Sequence, residues 1–294
     1  MHTVSLGRLP KEDLASLAIR RVFRMISPGT KGKTRLANLL LSQKMRARTS
    51  LIRDRHGNPF VLPNCLEPVG LYLWMDGAYE PEVLEFLEQH VTGDSVVLDV
   101  GANIGAFAVP LARRARKVIA IEPSPQVLPF LKRNVELNRL TNVEIVECAA
   151  SKPGDSEVEF YIPPSDHFGM GSSAPQFHVK PITVQAKSID QMLAERRVSR
   201  VDVIKVDVEG YEAHAFLGAK ELLTSPAAPL AVFESAGWPE ERAFPGRGGW
   251  AQEILMDAGY KLWTLASYLR HGPPLNKPVP GGDTIVGFPR HLPV

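Results

Sequence analysis

Residues 95–123 read SVVLDVGANIGAFAVPLARRARKVIAIEP, and the reading of this stretch decides the architecture. An apolar run, Val96 to Leu98, stops at Asp99. A turn of small residues (Gly101, Ala102, Asn103, Ile104, Gly105) opens a segment with helical spacing, and a second apolar run, Val118 to Ile121, ends on Glu122. Strand, glycine turn, helix, and strand closed by an acid make up the first half of a nucleotide-binding α/β sheet.

The chemistry of the turn separates the candidate ligands. A dinucleotide site places glycine at the second motif position so that backbone amides can close on a pyrophosphate, and here that position is Asn103. Asp99 stands at the tip of the first strand, where a carboxylate repels a pyrophosphate but attracts a ligand carrying an ammonium and a sulfonium. The turn therefore favours S-adenosylmethionine over NAD. Glu122 follows Asp99 by 23 positions, near the roughly 20 expected for an acid that binds a ribose diol. Both cofactors carry that diol, so Glu122 alone does not distinguish them.

Composition sets the outer bounds. The chain has 294 residues and 44% hydrophobic content, as expected of a globular α/β protein with an extension. No apolar run reaches the length of a membrane span, and the opening MHTVSLGRLPKEDL lacks the apolar core of an export signal. Cys65 and Cys148 are too few for a disulfide framework, which points to a reducing cytoplasm. The net charge of +2 hides an asymmetry: residues 1–56 hold 13 Lys and Arg against three acids, and the rest hold 21 against 29. Such a basic arm suits an anionic lipid surface, a nucleic acid or a phosphorylated glycan carrier, or it is a solvated helical lead-in.

Outward from the central stretch, Leu14–Ile26 and Leu36–Met45 show amphipathic helical patterns, placed to pack on the main domain or to rest on a membrane. Residues 49–53 and 60–62 flank a His56-Gly57-Asn58 turn and predict a hairpin, and Leu71–Trp74 reads as a further short strand. Pro81 opens a helix running to His90. Tyr79 and Glu80 precede it, either to close over a ligand or to cap the helix. The division expected is a basic helical and hairpin extension over 1–90 and a cofactor-binding domain over 91–294. Beyond Glu122, Pro123 starts a helix through Asn138. The strand Val143–Val146 leads to Glu147, which could accept from an adenine amino group, and to Ala149, which could pack on the ring.

Val158–Ile162 and Ile182–Ala186 read as strands around a mobile loop, 163–173, on the route to the site. His167 and His178 flank it. A fourth core strand, Val201–Val206, runs into Asp207-Val208-Glu209-Gly210-Tyr211-Glu212, where alternation would set Asp207 and Glu209 on one face. One helix is expected from Tyr211 to Leu223. The strand Leu230–Phe233 ends at Glu234, and the strands Lys261–Leu265 and Thr284–Phe288, joined by a Pro/Gly loop needing no helix, suggest an antiparallel edge.

With LDVGANIG, IEPSP and IKVDVEGYE standing in that order, the chain resembles the FkbM family of S-adenosylmethionine-dependent methyltransferases over roughly residues 56–240. GAYE at 77–80 and SID at 188–190 agree. The resemblance implies the class I methyltransferase fold, a Rossmann-like α/β sheet of seven strands with the last antiparallel. It also implies O-methylation, commonly of sugars or of hydroxyls on secondary metabolites. Carried over, Asp99, Gly101, Asn103 and Gly105 look like the cofactor turn, Glu122 like the ribose acid, and Asp207 and Glu209 like an acidic pair beside the reacting centre.

An alcohol is a poor nucleophile until a base takes its proton. Asp207, Glu209 and Glu234 come from the carboxyl ends of neighbouring strands, where an open α/β sheet binds its ligand. Glu209 or Asp207 is the expected base, with Glu234 and His178 in reserve. A divalent metal on two of these acids plus His178 is a disfavoured alternative. Amino-methylation of nucleic acid is disfavoured because no Asn/Asp-Pro-Pro-aromatic turn follows the fourth strand. C5-pyrimidine methylation is disfavoured because no Pro-Cys pair exists. A second class of function stays open: a catalytically silent scaffold that keeps the cofactor fold and works through its basic arm.

Overall fold

A computed structural model describes residues 14–28, 30–164, 167–175, 178–235, 237–279 and 281–293. The start of the basic arm, residues 1–13, lies outside the described residues. Among those described, no helix is long and apolar enough to cross a membrane.

The N-terminal patterns form three helices, α1 (Leu14–Met25), α2 (Lys33–Leu40) and α3 (Gln43–Arg46). The break inside the second pattern falls at Leu41, whose extended backbone ends α2, and at Ser42, whose hydroxyl accepts from Met45 N to cap α3. The predicted hairpin follows as β1 (Ser50–Arg53) and β2 (Pro59–Leu62), with Ile52 opposite Phe60. Asp54 ties its turn by accepting from the backbone N–H groups of His56 and Asn58.

The next segment departs from the sequence reading. Leu71–Trp74 is no strand but the middle of α4 (Pro68–Asp76). The Glu67 carboxylate accepts from Val69 N and Gly70 N, Pro68 occupies the first turn, and Gly77 closes the helix at φ 74°. Start and stop signals at both ends outweigh the aromatic character of a four-residue run. The helix expected from Pro81 forms as α5 (Pro81–His90).

The central stretch builds β3 (Val96–Val100), α6 (Ala108–Ala112) and β4 (Lys117–Ile121), followed by α7 (Leu128–Leu137) and β5 (Val143–Val146). A separate small sheet then interrupts, made of β6 (Ala149–Ala150), β7 (Glu157–Phe160) and β8 (Ile182–Lys187). The second half comprises α8 (Ile189–Glu195), β9 (Val203–Val206), α9 (Glu212–Leu217), α10 (Lys220–Thr224) and β10 (Leu230–Ser235). It closes with α11 (Gly237–Ala243), α12 (Trp250–Asp257), β11 (Lys261–Thr264), α13 (Leu265–Leu269) and β12 (Asp283–Phe288).

The helix expected over Tyr211–Leu223 is thus two, separated at Gly218, where a Cβ would meet the Ser151 carbonyl oxygen at 2.0 Å. The loop expected between the last two strands holds the short α13.

The main sheet runs β11-β12-β10-β9-β3-β4-β5. β12 pairs antiparallel with both neighbours, and β3, β4, β5, β9 and β10 are mutually parallel. This is the class I methyltransferase sheet. The last strand is antiparallel as expected but is not an edge, because β11 lies outside it. Helices cover both faces, so β3 and β9 are buried along their whole length and apolar except at Asp99 and Lys205, as parallel strands require.

Chain order reverses between β3 and β9, the switch point at which such sheets bind ligands. A third apolar cluster joins Phe23, Ile52 and Trp74 of the extension to Ile104, Val109 and Phe130 of the main domain. Asn134 of α7 seals the junction by accepting from Val61 N at 2.7 Å and donating to Ile104 O at 2.8 Å.

Candidate active site

The switch point opens into a cleft of about 380 Å³. Gly101 and Asn103 from the turn after β3, Glu122 and Pro123 after β4, and Ala149 and Ala150 line one end. Tyr79, Asp207, Glu209 and Glu234 line the other.

Glycine is obligatory at position 101. Its φ is 79°, and a Cβ there would lie 1.8 Å from the Asp207 carbonyl oxygen. The cofactor turn and the acidic turn therefore touch backbone to backbone, which no other residue permits. Asn103 also sits left-handed, at φ 51°, a conformation Asn tolerates better than most side chains. Its N–H donates to Glu122 Oε2 at 2.9 Å, and its side-chain amide donates to Gly169 O at 3.0 Å. Glu122 Oε1 accepts from Ser124 N at 2.8 Å. Burial nonetheless pushes the Glu122 carboxyl up to about 7, against those two hydrogen bonds.

The acidic end is assembled differently from the sequence reading. β9 stops at Val206, so strand alternation does not place Glu209. A turn does: Glu209 adopts φ 54° and Gly210 φ 95°. Glu212 pins that turn by accepting from Val208 N at 3.0 Å and Gly210 N at 3.1 Å. One oxygen each of Asp207, Glu209 and Glu234 lies within 4.8 Å of the others.

Crowding this dense changes protonation. Burial, then Asp207, Glu234 and Glu212, drive the Glu209 carboxyl well above the carboxylate range. Burial, then Asp207 and Glu80, lift Glu234 to about 8. Burial lifts Glu212 to about 8.

Among the described residues one cation answers these acids. Lys205, buried in β9, donates to Asp207 Oδ2 at 3.1 Å, stands 3.8 Å from Asp99 Oδ1 and lies 4.7 Å from the Phe107 ring centre. Burial pulls against its charge, but Asp207, Asp99 and Glu80 hold the ammonium proton above its usual range.

Several candidates fall outside the cleft wall. Asp99 is fully buried beneath it, paired with Lys205 and not lining it. Gly105 packs the helix side, with Leu131 and Val109 as neighbours. Glu147 points to the exterior and pairs with Lys132 at 2.7 Å. Glu80 stands behind Tyr79, hydrogen-bonded to it, and its carboxyl is raised to about 7 by burial and then by Asp207. Glu80 makes no capping bond to α5, so helix capping does not account for it.

His178 is exposed and lines no part of the cleft. The arrangement of two acids plus His178 around a metal is therefore not assembled. His167 lines a neighbouring groove.

Lys205 and Glu67 were missed as site residues. A lysine inside the doubly buried run Val203–Val206 was the available signal for the first. An acid before Pro68 was the signal for the second, which lines the cleft with its carboxyl raised to about 7 by burial. The described residues 167–173 of the expected loop contribute to the wall: Gly169, Met170 and Gly171 line the cleft, and the Ser172 hydroxyl donates to Glu209 O at 2.7 Å.

A parallel sheet ending in an antiparallel strand, with a glycine turn and an acid at successive strand ends, defines a class I methyltransferase. Residues 99–262, more than half of the chain, match the methyltransferase FkbM domain. The chain belongs to the FkbM methyltransferase family. Tyr79 and Glu80, read from the GAYE stretch, lie upstream of the matched span, and the structure sets Tyr79 in the cleft wall with Glu80 behind it.

Among curated relatives, the hexuronic acid methyltransferase AglP of Haloferax volcanii is 30% identical over 50% of this chain and 59% of its own length. Methyltransferase 1 of Beauveria bassiana is 27% identical over 42% and 58%. A probable ribosomal RNA small subunit methyltransferase A of Methanosphaera stadtmanae is 39% identical over 21% and 23%. The chain thus spans less than two thirds of each of these relatives. A crystal structure of an FkbM methyltransferase from Methylobacillus flagellatus shows 16% identity and a TM-score of 0.42, covering 67% of this chain and 44% of that one.

Proposed function

We propose that the protein transfers a methyl group from S-adenosylmethionine to a hydroxyl of a sugar, a glycan or a hydroxylated secondary metabolite, with Glu209 as general base. One observation carries the reading: Asp207, Glu209 and Glu234 crowd within 4.8 Å of one another beside Lys205, and burial with mutual repulsion raises the carboxyls of Glu209 and Glu234. A site of this kind is completed by a cationic ligand, which makes ionised carboxylates affordable at neutral pH.

The chain's residues fit the donor. Glu122 is positioned for the ribose diol, its two oxygens oriented by Asn103 N and Ser124 N. Ala149 and Ala150 offer an apolar wall for the adenine ring, and Glu147, turned outward, takes no part. When bound, the donor supplies an electrophilic methyl on a sulfonium.

Asp207 is committed to Lys205, and Glu209, which lines the cleft and whose carboxyl is raised by burial and its acidic neighbours, is the base we assign. Glu209 takes the hydroxyl proton as the acceptor oxygen bonds to the methyl carbon and the carbon–sulfur bond breaks. Lys205 holds Asp207 in place and offsets its charge. The hexuronic acid specificity of the archaeal relative supports a sugar acceptor.

The test combines calorimetric titration with S-adenosylmethionine and transfer of a labelled methyl to a panel of sugars and hydroxylated metabolites. Product on any hydroxyl acceptor supports the reading. Tight donor binding with no product on any of them would return the chain to the scaffold class. Turnover unaffected by EDTA is expected. Loss that magnesium restores would assign the base's task to a metal on Asp207, Glu209 and Glu234.

A further inference from the structure

The N-terminal extension wears its apolar residues on the outside. Among the described residues eight large hydrophobic side chains are exposed, and six of them, Val22, Met25, Leu36, Leu39, Leu40 and Leu51, fall between positions 22 and 51. Over residues 17–25 of α1 the exposed residues are Ala18, Arg21, Val22 and Met25, one stripe at helical spacing, while the opposite side buries Arg20 and Phe23. On α2, Leu36, Leu39 and Leu40 form a second exposed stripe, while Lys33 and Ala37 are buried. Met25 is 85% exposed and Leu39 is 81% exposed.

The inward face of the extension is fixed by charge. The Lys33 ammonium pairs with Asp76 and donates to Ile26 O, and the Arg24 guanidinium donates to the carbonyls of Arg53 and Leu73. Both helices are thus anchored toward the C-terminal half of α4, with their apolar stripes turned away from those anchors.

The charge around the stripes selects the partner. Between Leu14 and Arg53 the sequence holds ten Lys and Arg and no Asp or Glu. Arg21, Lys31, Arg35, Lys44 and Arg48 are exposed among the apolar side chains. Apolar side chains set among cations match an anionic bilayer, whose headgroups meet the cations and whose acyl boundary takes the apolar stripe. A second copy of the chain would set like charge against like. A nucleic acid would use the cations but leave the leucines and Met25 in water, and Phe23, the one aromatic of these two helices, is buried.

We infer that α1 and α2 dock the protein on an anionic lipid surface, with Val22, Met25, Leu36, Leu39 and Leu40 entering the interface. The position of the cleft agrees. A groove lined by Asn38, Leu41 and Arg46 of the extension shares Pro68 and Met170 with the cleft wall. Docking through the extension brings the methyl-transfer site alongside the membrane.

The full chain should co-sediment with phosphatidylcholine vesicles containing about 30% phosphatidylglycerol and remain free with phosphatidylcholine alone. Raising salt from about 0.1 to 0.5 M should weaken partitioning tenfold or more. Arg21→Glu with Arg35→Glu should do the same. Met25→Ser with Leu39→Ser leaves the charge unchanged and should also lose about tenfold, with an unchanged melting curve because both side chains are solvent-exposed.

Five results would overturn the inference. The first is wild-type protein left in the supernatant, and the second is wild-type binding by the Ser pair. The third is a concentration-dependent dimer abolished by the Ser pair, which would seat a second copy on the stripe. The fourth is vesicle binding that emerges only when residues 1–13 are deleted, which would make that segment its cover. Tighter binding to duplex RNA than to anionic vesicles, lost in the Glu pair but kept in the Ser pair, would transfer the surface to nucleic acid.

Discussion

Two regions of this molecule invert the usual placement of side chains, and they do so in opposite senses. At the carboxyl ends of β9 and β10, acids are brought inside and crowded: Asp207, Glu209, Glu212 and Glu234 share one lysine. In α1 and α2, apolar residues are left outside, while Arg20 and Lys33 share the buried positions with Phe23 and Ala37. Each arrangement is costly for the protein alone. The cost points to what is missing in each place, a cation in the cleft and an apolar phase against the helices.

The comparison can be broken at its acidic end first. Glu209→Gln should lower methyl transfer by roughly 10²–10⁴-fold, the usual worth of a general base, while donor affinity measured by calorimetry stays within about threefold. Normal turnover in that variant would remove Glu209 from its role. Lys205→Met should cost about 3–5 kcal/mol in urea unfolding, because it leaves Asp99 and Asp207 without their cation. A change under about 1 kcal/mol would mean that the acids are already neutral and that the lysine is not their counterweight.

Protonation sharpens the contrast further. The folded pKa values of Glu122, Glu212 and Glu234, at about 7 to 8, lie above the unfolded value near 4.5. Between these limits the folded state holds protons that the unfolded chain has released. Their contribution to stability is therefore full below about pH 4.5 and is lost as pH rises through 7 to 8. Each of these groups that keeps its raised value should cost the ligand-free protein roughly 2–4 kcal/mol between about pH 5 and 8. Affinity for the cationic donor should rise over the same window as binding ionises the cleft. A ligand-free stability that rises through that window would contradict the crowding described for the site.

The smallest effect belongs to the other region. Met25→Ser should change unfolding free energy by no more than about 0.5 kcal/mol in the absence of lipid, as expected of a surface position. A loss of 2 kcal/mol or more, of the kind a core truncation produces, would show that this stripe is packed after all.

Much of the sheet was legible because its signals are local. Val96–Leu98, Val118–Ile121 and Val143–Val146 stand out as short, largely apolar runs, and Pro81 announces its helix at the first residue. α4 was misread because its caps, Glu67 and Gly77, lie outside the four-residue run that looked like a strand. In the site, strand-end acids could be listed from sequence, but their separation into lining and buried sets could not. Asp99 and Glu122 end neighbouring strands, yet one lies beneath the cleft and the other in its wall.

The sequence by itself determined the order of the strands in the main sheet along the chain, the glycine at position 101, the acids at the strand ends and the excess of basic charge before residue 57. Each of these is a matter of residue type and spacing along the chain. Only the tertiary structure decided that a left-handed turn, not strand alternation, brings Glu209 to Asp207. It also decided that Lys205 is their shared cation, that Tyr79 joins them from outside the family domain and that the apolar stripe of α1 faces away from the body. Those outcomes depend on which surfaces meet across gaps of tens of residues, and a helix with apolar residues around half its circumference does not reveal which part of that arc its neighbours will cover.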